Sequence, residues 1–368
     1  MIRRLYIHNF RCLENFELPL AGLPSVLLIG KNGSGKTTVS FALEILQKIA
    51  RGTNRVKDLV APKDFARGRS DVPMRFEIQI ALGARIYEYT LALELPENFR
   101  ELRVLEEKLA VDGRAVYTRD RAQVLLARAG QDEEAKFLID WHLVALPIIQ
   151  ESSPNDPLLI FKQCLARMLV LRPVPSLITG DSYEEQLQPS RDITDFAAWF
   201  SGLLHHYPAQ YSTIDQYLRQ IMPDLKDIQN PSVGKDSRSI TVQFSNQNGT
   251  LSVPFKDLAD GEKCFIICAV VLAANGAYGP VLCFWDEPDN YLALSEVGHF
   301  VMALRRGFQS GGQFIATSHN PEAIGRFSDE NTFVLGRKSR LEPTTVRPLS
   351  QVVKGDLMTA LVQGDPGP

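Results

Sequence analysis

The chain has 368 residues, of which 45% are hydrophobic and 23% charged, with a formal net charge of −3. These proportions are those of a globular protein, and the slight negative charge excludes a globally basic nucleic-acid binder, so any such surface must be local. Five scattered cysteines, Cys12, Cys164, Cys264, Cys268 and Cys283, argue against a disulfide framework and for a reducing compartment.

Cys264 and Cys268 are four apart in an apolar run with no paired His or Cys nearby, so they read as small buried hydrophobes rather than metal ligands. The start, MIRRLYIHNF, lacks the apolar stretch of a signal peptide. The longest apolar segment, Cys264–Ala274, falls short of the ~20 residues of a membrane helix. The expectation is a cytosolic protein with no membrane partner.

Leu5 and Ile7, then Phe16, Leu18 and Leu20, suggest two strands flanking Asn9–Arg11. Ser25–Ile29 reads as a buried strand ending in glycine, and Thr37–Ala50 as a helix. Residues 51–70 then carry Arg51, Arg55, Lys57, Lys63, Arg67 and Arg69 against only Asp58 and Asp64. This stretch is either a solvated loop or a dock for a phosphate backbone or an acidic protein face. Met74–Leu82 and Arg85–Leu95 predict an antiparallel hairpin turning at Gly83. Leu102–Val111 and Arg114–Thr118 continue that sheet around Asp112–Gly113.

Helix-like segments follow at Ala122–Ala129, Pro157–Arg167, Thr194–His205 and Tyr211–Met222, between proline-bearing loops. Strand patterning returns at Ser239–Ser245 and Leu251–Pro254. The last third predicts a buried strand Val281–Trp285, a helix Leu294–Gly307 and a second buried strand Gln313–Thr317. The terminal GDPGP is expected to fray. There is no internal repeat, and no sustained heptads lie between Lys36 and Gly261.

Four segments carry chemistry. Gly30–Thr37, GKNGSGKT, fits G-x-x-x-x-G-K-[ST] between a strand and a helix. Its glycines let successive backbone N–H groups turn inward around phosphate, and the helix N-terminus adds its dipole. Lys36 is placed to reach the β- and γ-phosphates, and the Thr37 hydroxyl to bind Mg²⁺. Val281–Glu287 is an apolar strand ending in two carboxylates, which a buried strand does not do without reason. Asp286 suits the Mg²⁺ shell and Glu287 a general base. Gln313–His319 is a second such strand, whose His319 can hydrogen-bond the γ-phosphate and sense its loss. Leu258–Lys263, LADGEK, opens an apolar helix that Asp260 is expected to cap, and reads by itself either as free N–H groups for an anion or as a simple cap with a glycine.

In this order the four segments resemble the ABC-type ATPases, and Asn9-Phe10-Arg11 narrows the resemblance to the SMC/RecF-like branch. The chain looks most like the small single-chain members found in prokaryotic anti-phage and retron-type defence systems. The resemblance covers roughly residues 1–50 and 165–335. It makes LADGEK the signature motif, DEPDNYL the Walker B segment with its turn, and TSHN the switch-histidine segment. Arg172-Pro173 resembles the strand and proline loop that lead into a helical lobe. It also implies nucleotide contacts from Asn9, Arg11, Asn32, Gly33, Ser34, Gly35, Lys36, Thr37 and Thr38, and from Asp260, Gly261 and Glu262. Catalytic roles fall on Glu287, His319 and Lys36, and metal binding on Thr37 and Asp286.

The implied fold is an α/β P-loop NTPase head of ABC type, with an antiparallel β subdomain and an inserted helical lobe. The expected lobes are 1–119, 120–238 and 239–368, together one head. ATP and Mg²⁺ are the implied cofactors, and two heads would sandwich two nucleotides in a homodimer. Three features depart from the family pattern. Ala259 stands in place of the signature serine, Ala293-Leu294 in place of a histidine-proline pair, and Gln150, Gln186 and Gln188 are all candidates for the Q-loop residue. The implied activity is an ATPase acting with DNA or a separate nuclease effector in genome maintenance or defence. The alternative is a slow, nucleotide-gated scaffold holding a toxin or effector. A transporter subunit fits poorly with Asn9-Phe10-Arg11 and the long stretch between P-loop and signature.

Overall fold

The computed structural model describes residues 1–127 and 135–352. They group into two compact units, Met1–Met168 with the chain from Asp329 onward, and Leu169–Ser328.

The first unit begins with β1 (Ile2–His8) and β2 (Phe16–Pro19), paired antiparallel around Asn9–Arg11. Next come β3 (Ser25–Ile29), buried along its whole length, α1 (Lys36–Ala50) and the short α2 (Val56–Leu59). β4 (Met74–Leu82) and β5 (Arg85–Glu94) form the expected hairpin, with Gly83 at φ 60°. β6 (Arg103–Val111) and β7 (Arg114–Asp120) follow. They turn through Asp112 (φ 51°) and Gly113 (φ 78°), the two left-handed positions that a tight twisted hairpin demands.

β8 (Gln123–Leu126) pairs antiparallel with β7, and β9 (Ala135–Leu138) with β8. This corrects the helix expected over Ala122–Ala129, whose residues 128 and 129 lie outside the described ones. The Ala, Leu and Arg content favours helix locally, but pairing with β7 and burial of Val124 override that preference. The resulting sheet runs β2-β1-β4-β5-β6-β7-β8-β9. α3 (Pro157–Ala166), capped by Asp156 on the Leu158 amide, brings Phe161 against Tyr87 and Tyr89 of β5.

One buried ion pair fastens this unit. Glu107 and Arg119 have side chains with no exposed surface, 3.3 Å apart. Glu107 also accepts from the Tyr89 and Tyr117 hydroxyls and from the Ala145 and Leu146 amides. Arg119 donates to the carbonyls of Arg121, Asp140 and Leu143. Burial pushes both tyrosine hydroxyls far above their ordinary range. Such a pair is tolerable in the interior because its remaining hydrogen-bonding capacity is satisfied.

The second unit opens with β10 (Leu169–Leu171) and β11 (Asp181–Ser182). α4 (Phe196–His206) and α5 (Gln210–Ile221) come next. β12 (Leu225–Gln229) follows, then β13 (Arg238–Ser239), which pairs with β11. β14 (Thr241–Asn246) and β15 (Gly249–Pro254) complete an antiparallel sheet with β12. The core element is α6 (Asp260–Tyr278). By length and composition this 19-residue helix could cross a membrane, and 67% of its apolar window is buried inside the protein, as in a core helix. Burial pushes the Cys264 and Cys268 thiols on α6 up to about 12, which keeps them neutral.

β16 (Leu282–Asp286) pairs in parallel with β10 on one side and with β17 (Gln313–Thr317) on the other. Every residue of β10, β16 and β17 is buried, as expected of parallel strands. α7 (Leu294–Gln309) places Phe300 edge-on against Trp285 and Phe265. α8 (Pro321–Ile324) ends this unit. The chain then returns to the first unit as β18 (Thr332–Gly336), parallel to β3, and β19 (Thr345–Pro348), antiparallel to β18. The GDPGP segment lies outside the described residues.

Candidate functional site

The P-loop links β3 to α1 within the first unit. Its left-handed glycines are Gly30, Gly33 and Gly35, at φ 149°, 80° and 104°. Two of them are also crowded. A Cβ on Gly30 would stand 2.2 Å from the Leu335 carbonyl oxygen, and one on Gly35 2.8 Å from Thr344 Oγ1. Thr344 clamps the loop from outside, donating from Oγ1 to the Ser34 carbonyl (2.8 Å) and from its amide to the Cys12 carbonyl (2.9 Å). Lys36 is 6% exposed, with Nζ 2.7 Å from the Gly30 carbonyl. The N-cap of α1 is Gly35, which has no side chain to cap it. Asn32 and Gly33 are exposed, Thr37 and Thr38 half-buried, and Thr38 Oγ1 lies 3.4 Å from Cys12 Sγ.

Asn9, expected among the nucleotide contacts, is instead 2% exposed and its amide holds the Arg69 and Val72 carbonyls. Its left-handed backbone (φ 53°) makes the tight turn after β1. Arg11 is better placed for an incoming ligand. It pairs with Asp64 at 2.9 Å and lies over the Phe41 ring at 4.2 Å, with more than a third of its side chain exposed. The basic stretch 51–70 is largely tied to its own unit. Arg51 bonds the Ala166 and Met168 carbonyls, and Arg67 and Arg69 share Glu14. Arg55, Lys57 and Lys63 are the exposed cations of that stretch without such a bond described for them.

A cavity of about 960 Å³ adjoins the outer rim of the P-loop. Lys31–Ser34 form one wall and the β18–β19 hairpin the other. Among the described residues, Lys31, Arg337, Lys338, Arg340 and Arg347 line it against a single acid, Glu342.

In the second unit, the ends of β16 and β17 bring the expected acidic and histidine residues together. Asp286 is 2% exposed, and its Oδ1 accepts from Thr317 Oγ1 at 2.7 Å. The same hydroxyl accepts from the Glu287 amide at 2.9 Å. Glu287 has a left-handed backbone (φ 55°). Its Oε2 accepts from Asn290 Nδ2 at 2.7 Å, and its Oε1 lies 3.6 Å from His319 Nε2. Asp289 is buried, with Ser318 Oγ donating to its Oδ2, and burial raises its carboxyl above the usual range. Arg191 and Arg172 approach Asp286 Oδ2 at 3.5 and 3.9 Å. Thr317, Asn290 and Arg191 were not singled out from sequence. The strand-end position of Thr317 was available as a signal, whereas nothing local in the chain marks Arg191.

The N-cap of α6 is Ala259, not Asp260 as expected, and Asp260 is the first helical residue. Glu262 Oε2 accepts from the Ala259 amide at 2.8 Å. Glu262 thus ties the helix start from within, while the cap itself has no hydroxyl to offer. Gly261 packs close to the turn after β16, where an added Cβ would lie 3.1 Å from the Tyr291 carbonyl oxygen.

Each cluster fits the group its sequence implies. In the P-loop, Ser34 Oγ is buried without a hydrogen-bond partner among the described residues, beside an uncapped helix N-terminus. That is a donor left without a partner beside a helix start whose free N–H groups suit an anion. In the carboxylate cluster, Asp286 Oδ2 is likewise buried and accepts no hydrogen bond among the described residues, with two guanidinium groups near it, so it is a carboxylate oxygen that suits a hydrated cation.

Known proteins resemble the chain in sequence over short stretches and in fold over its length. Residues 1–108 match the family model of an AAA ATPase domain. A stretch of 46 residues is 46% identical to the OLD nuclease of Thermus scotoductus, covering 12% of this chain and only 8% of that protein. The crystal structure of the SmcHead bound to the C-winged helix domain of ScpA aligns over 96% of this chain and 99% of its own, with a TM-score of 0.57 at 13% identity. The Smc head domain with an extended coiled coil from Pyrococcus furiosus, bound to the C-terminal domain of ScpA, aligns over 98% of each chain, with a TM-score of 0.51 at 13% identity. The chain therefore has the fold of an SMC/RecF-like head, an ABC-type P-loop ATPase architecture.

Proposed function

We propose that the chain is an ATPase head that binds ATP with Mg²⁺ and hydrolyses it. In this reading Gly33–Thr38 hold the phosphates through backbone amides, and Lys36 leaves the Gly30 carbonyl for the phosphate oxygens. Arg11 and Asn32 flank the nucleotide, and Thr37 and Asp286 hold the metal. Bound magnesium supplies charge neutralisation on the phosphates. Glu287 takes a proton from the attacking water, with its carboxylate oriented by Asn290, and His319 stands next to it. The observation that carries the reading is the Glu287 backbone. A non-glycine residue at φ 55°, pinned through its amide by Thr317 at the end of a fully buried strand, is strain kept at a carboxylate.

Two chains would complete the active unit, with Asp260, Gly261 and Glu262 at the start of α6 of one facing the P-loop of the other. The expected lobes, 1–119, 120–238 and 239–368, remain part of this proposal. DNA or a separate nuclease is the partner that the short likeness to the OLD nuclease supports, and the cationic cavity beside the P-loop is where a phosphate backbone would dock. One observation favours the second reading, a slow nucleotide-gated scaffold: Ala259 supplies no hydroxyl at the start of α6. Turnover measured with and without DNA separates the two.

The direct test is Glu287→Gln. Hydrolysis should fall by roughly 10²–10⁴-fold with ATP binding retained, and with ATP and Mg²⁺ the mass by light scattering should be at least dimeric. Unchanged turnover overturns the role of Glu287, and a monomer at saturating nucleotide overturns the sandwich.

A further inference from the structure

We propose that Arg191 and Arg172 are built-in counter-ions of Asp286, set against the metal-binding carboxylate by their loop and displaced from it when Mg²⁺ and nucleotide arrive. The proposal rests on the ATPase reading above and concerns how the metal is admitted. Asp286 is buried, and an ionised carboxylate in such a place needs a compensating charge. The two guanidinium groups supply it at 3.5 and 3.9 Å from Oδ2. They are near enough for charge but make no hydrogen bond to that oxygen, which has no such partner among the described residues. Their contact with that oxygen is one of charge, which a divalent cation can replace.

The loop carrying Arg191 is constructed to hold it there. Asp195 accepts from the Ser190 amide and hydroxyl and from Gln186 Nε2. Asp192 accepts from the amide and hydroxyl of Thr194. The Arg191 and Asp192 carbonyls accept from the Arg172 and Val174 amides, which ties the loop to the chain leaving β10. Gln186, a candidate Q-loop residue, is thereby spent on Asp195, and arginines stand beside the carboxylate instead. Arg191 is the firmer partner, 19% exposed, and Arg172, 50% exposed, faces solvent.

The test is a Mg²⁺ titration of the thermal unfolding midpoint at saturating non-hydrolysable ATP analogue. A cation a few ångströms from the metal position opposes it. The Arg172→Ala/Arg191→Ala double variant should therefore reach half-effect at about tenfold lower Mg²⁺, while its metal-free form melts below the wild type. Arg172→Ala alone, which removes a half-exposed side chain, should shift the half-effect in the same direction, and Arg191→Lys should stay near wild type. A purely structural role would lower the melting temperature and leave the Mg²⁺ half-effect in place, which overturns the proposal. A half-effect moved to higher Mg²⁺ also overturns it, because the arginines would then be holding the metal–nucleotide itself. If the wild type shows no Mg²⁺–nucleotide shift, the ATPase reading falls and the proposal with it.

Discussion

Thr317 and Asp286 are joined by a 2.7 Å hydrogen bond whose hydroxyl also accepts from the Glu287 amide. One side chain on β17 thus orients both carboxylate residues at the end of β16. Thr317→Val keeps the shape and removes the hydroxyl. It leaves Asp286 Oδ1 and the Glu287 amide unsatisfied at a buried position, which should cost roughly 1–3 kcal/mol of stability. ATP turnover should fall as well, while Thr317→Ser, which retains the donor, stays close to wild type. A valine variant with wild-type turnover in a steady-state assay would show that the hydroxyl does not set the catalytic pair.

Ala259 begins α6 without a side-chain cap. Ala259→Ser should raise stability by about 1 kcal/mol through capping alone. If the missing hydroxyl also limits hydrolysis, the serine variant should turn over faster at unchanged ATP affinity, since the new donor would meet charge that develops at the γ-phosphate. Urea melts and single-turnover kinetics separate the two effects. A gain in stability with flat turnover removes the support for a slow, switch-like enzyme.

The pH dependence of stability should carry the mark of Asp289. Its carboxyl is raised first by burial and then by the charge of Glu287, with Ser318 pulling the other way. A folded-state value above that of the unfolded chain, about 3.9, means that ionising Asp289 opposes folding. Its contribution is therefore most favourable below that pH and is lost as pH rises through the folded value. Asp289→Asn keeps an acceptor for Ser318, so it should raise the melting temperature at pH 7 and lose that advantage below about pH 4. An equal effect at both pH values would mean that packing, not ionisation, governs the site.

A partner's phosphate backbone should be felt at the β18–β19 hairpin. Lys338→Glu with Arg340→Glu reverses two exposed cations on the cavity beside the P-loop. Salt-dependent DNA binding, read by fluorescence anisotropy, should weaken at least tenfold with basal ATPase activity retained. Reversal of Arg55, Lys57 and Lys63 tests the basic stretch 51–70 without breaking the Arg51 bonds to Ala166 and Met168. Loss of binding in that second variant alone would move the surface to the stretch.

The sequence by itself determined the segments whose chemistry is local. GKNGSGKT between a strand and a helix, two carboxylates closing an apolar strand, and a histidine after the next apolar strand are each specified within about ten residues, because phosphate cradling and strand burial impose fixed short spacings. The hairpin of Met74–Leu82 with Arg85–Glu94 was legible for the same reason: period-two alternation and Gly83 need no distant partner. Only the tertiary structure decided what depends on distant pairing. Gln123–Leu126 became a strand because β7 offered an edge, and Glu107 met Arg119 with the amides of residues 145 and 146. Arg51 proved to be an anchor rather than a free cation, and Asn9 a brace for Arg69 and Val72. Arg191 came beside Asp286 through a loop that no periodicity announces. A charged side chain does not encode its partner locally, and the buried acceptor that fixes its role appears only once the chain has closed around it.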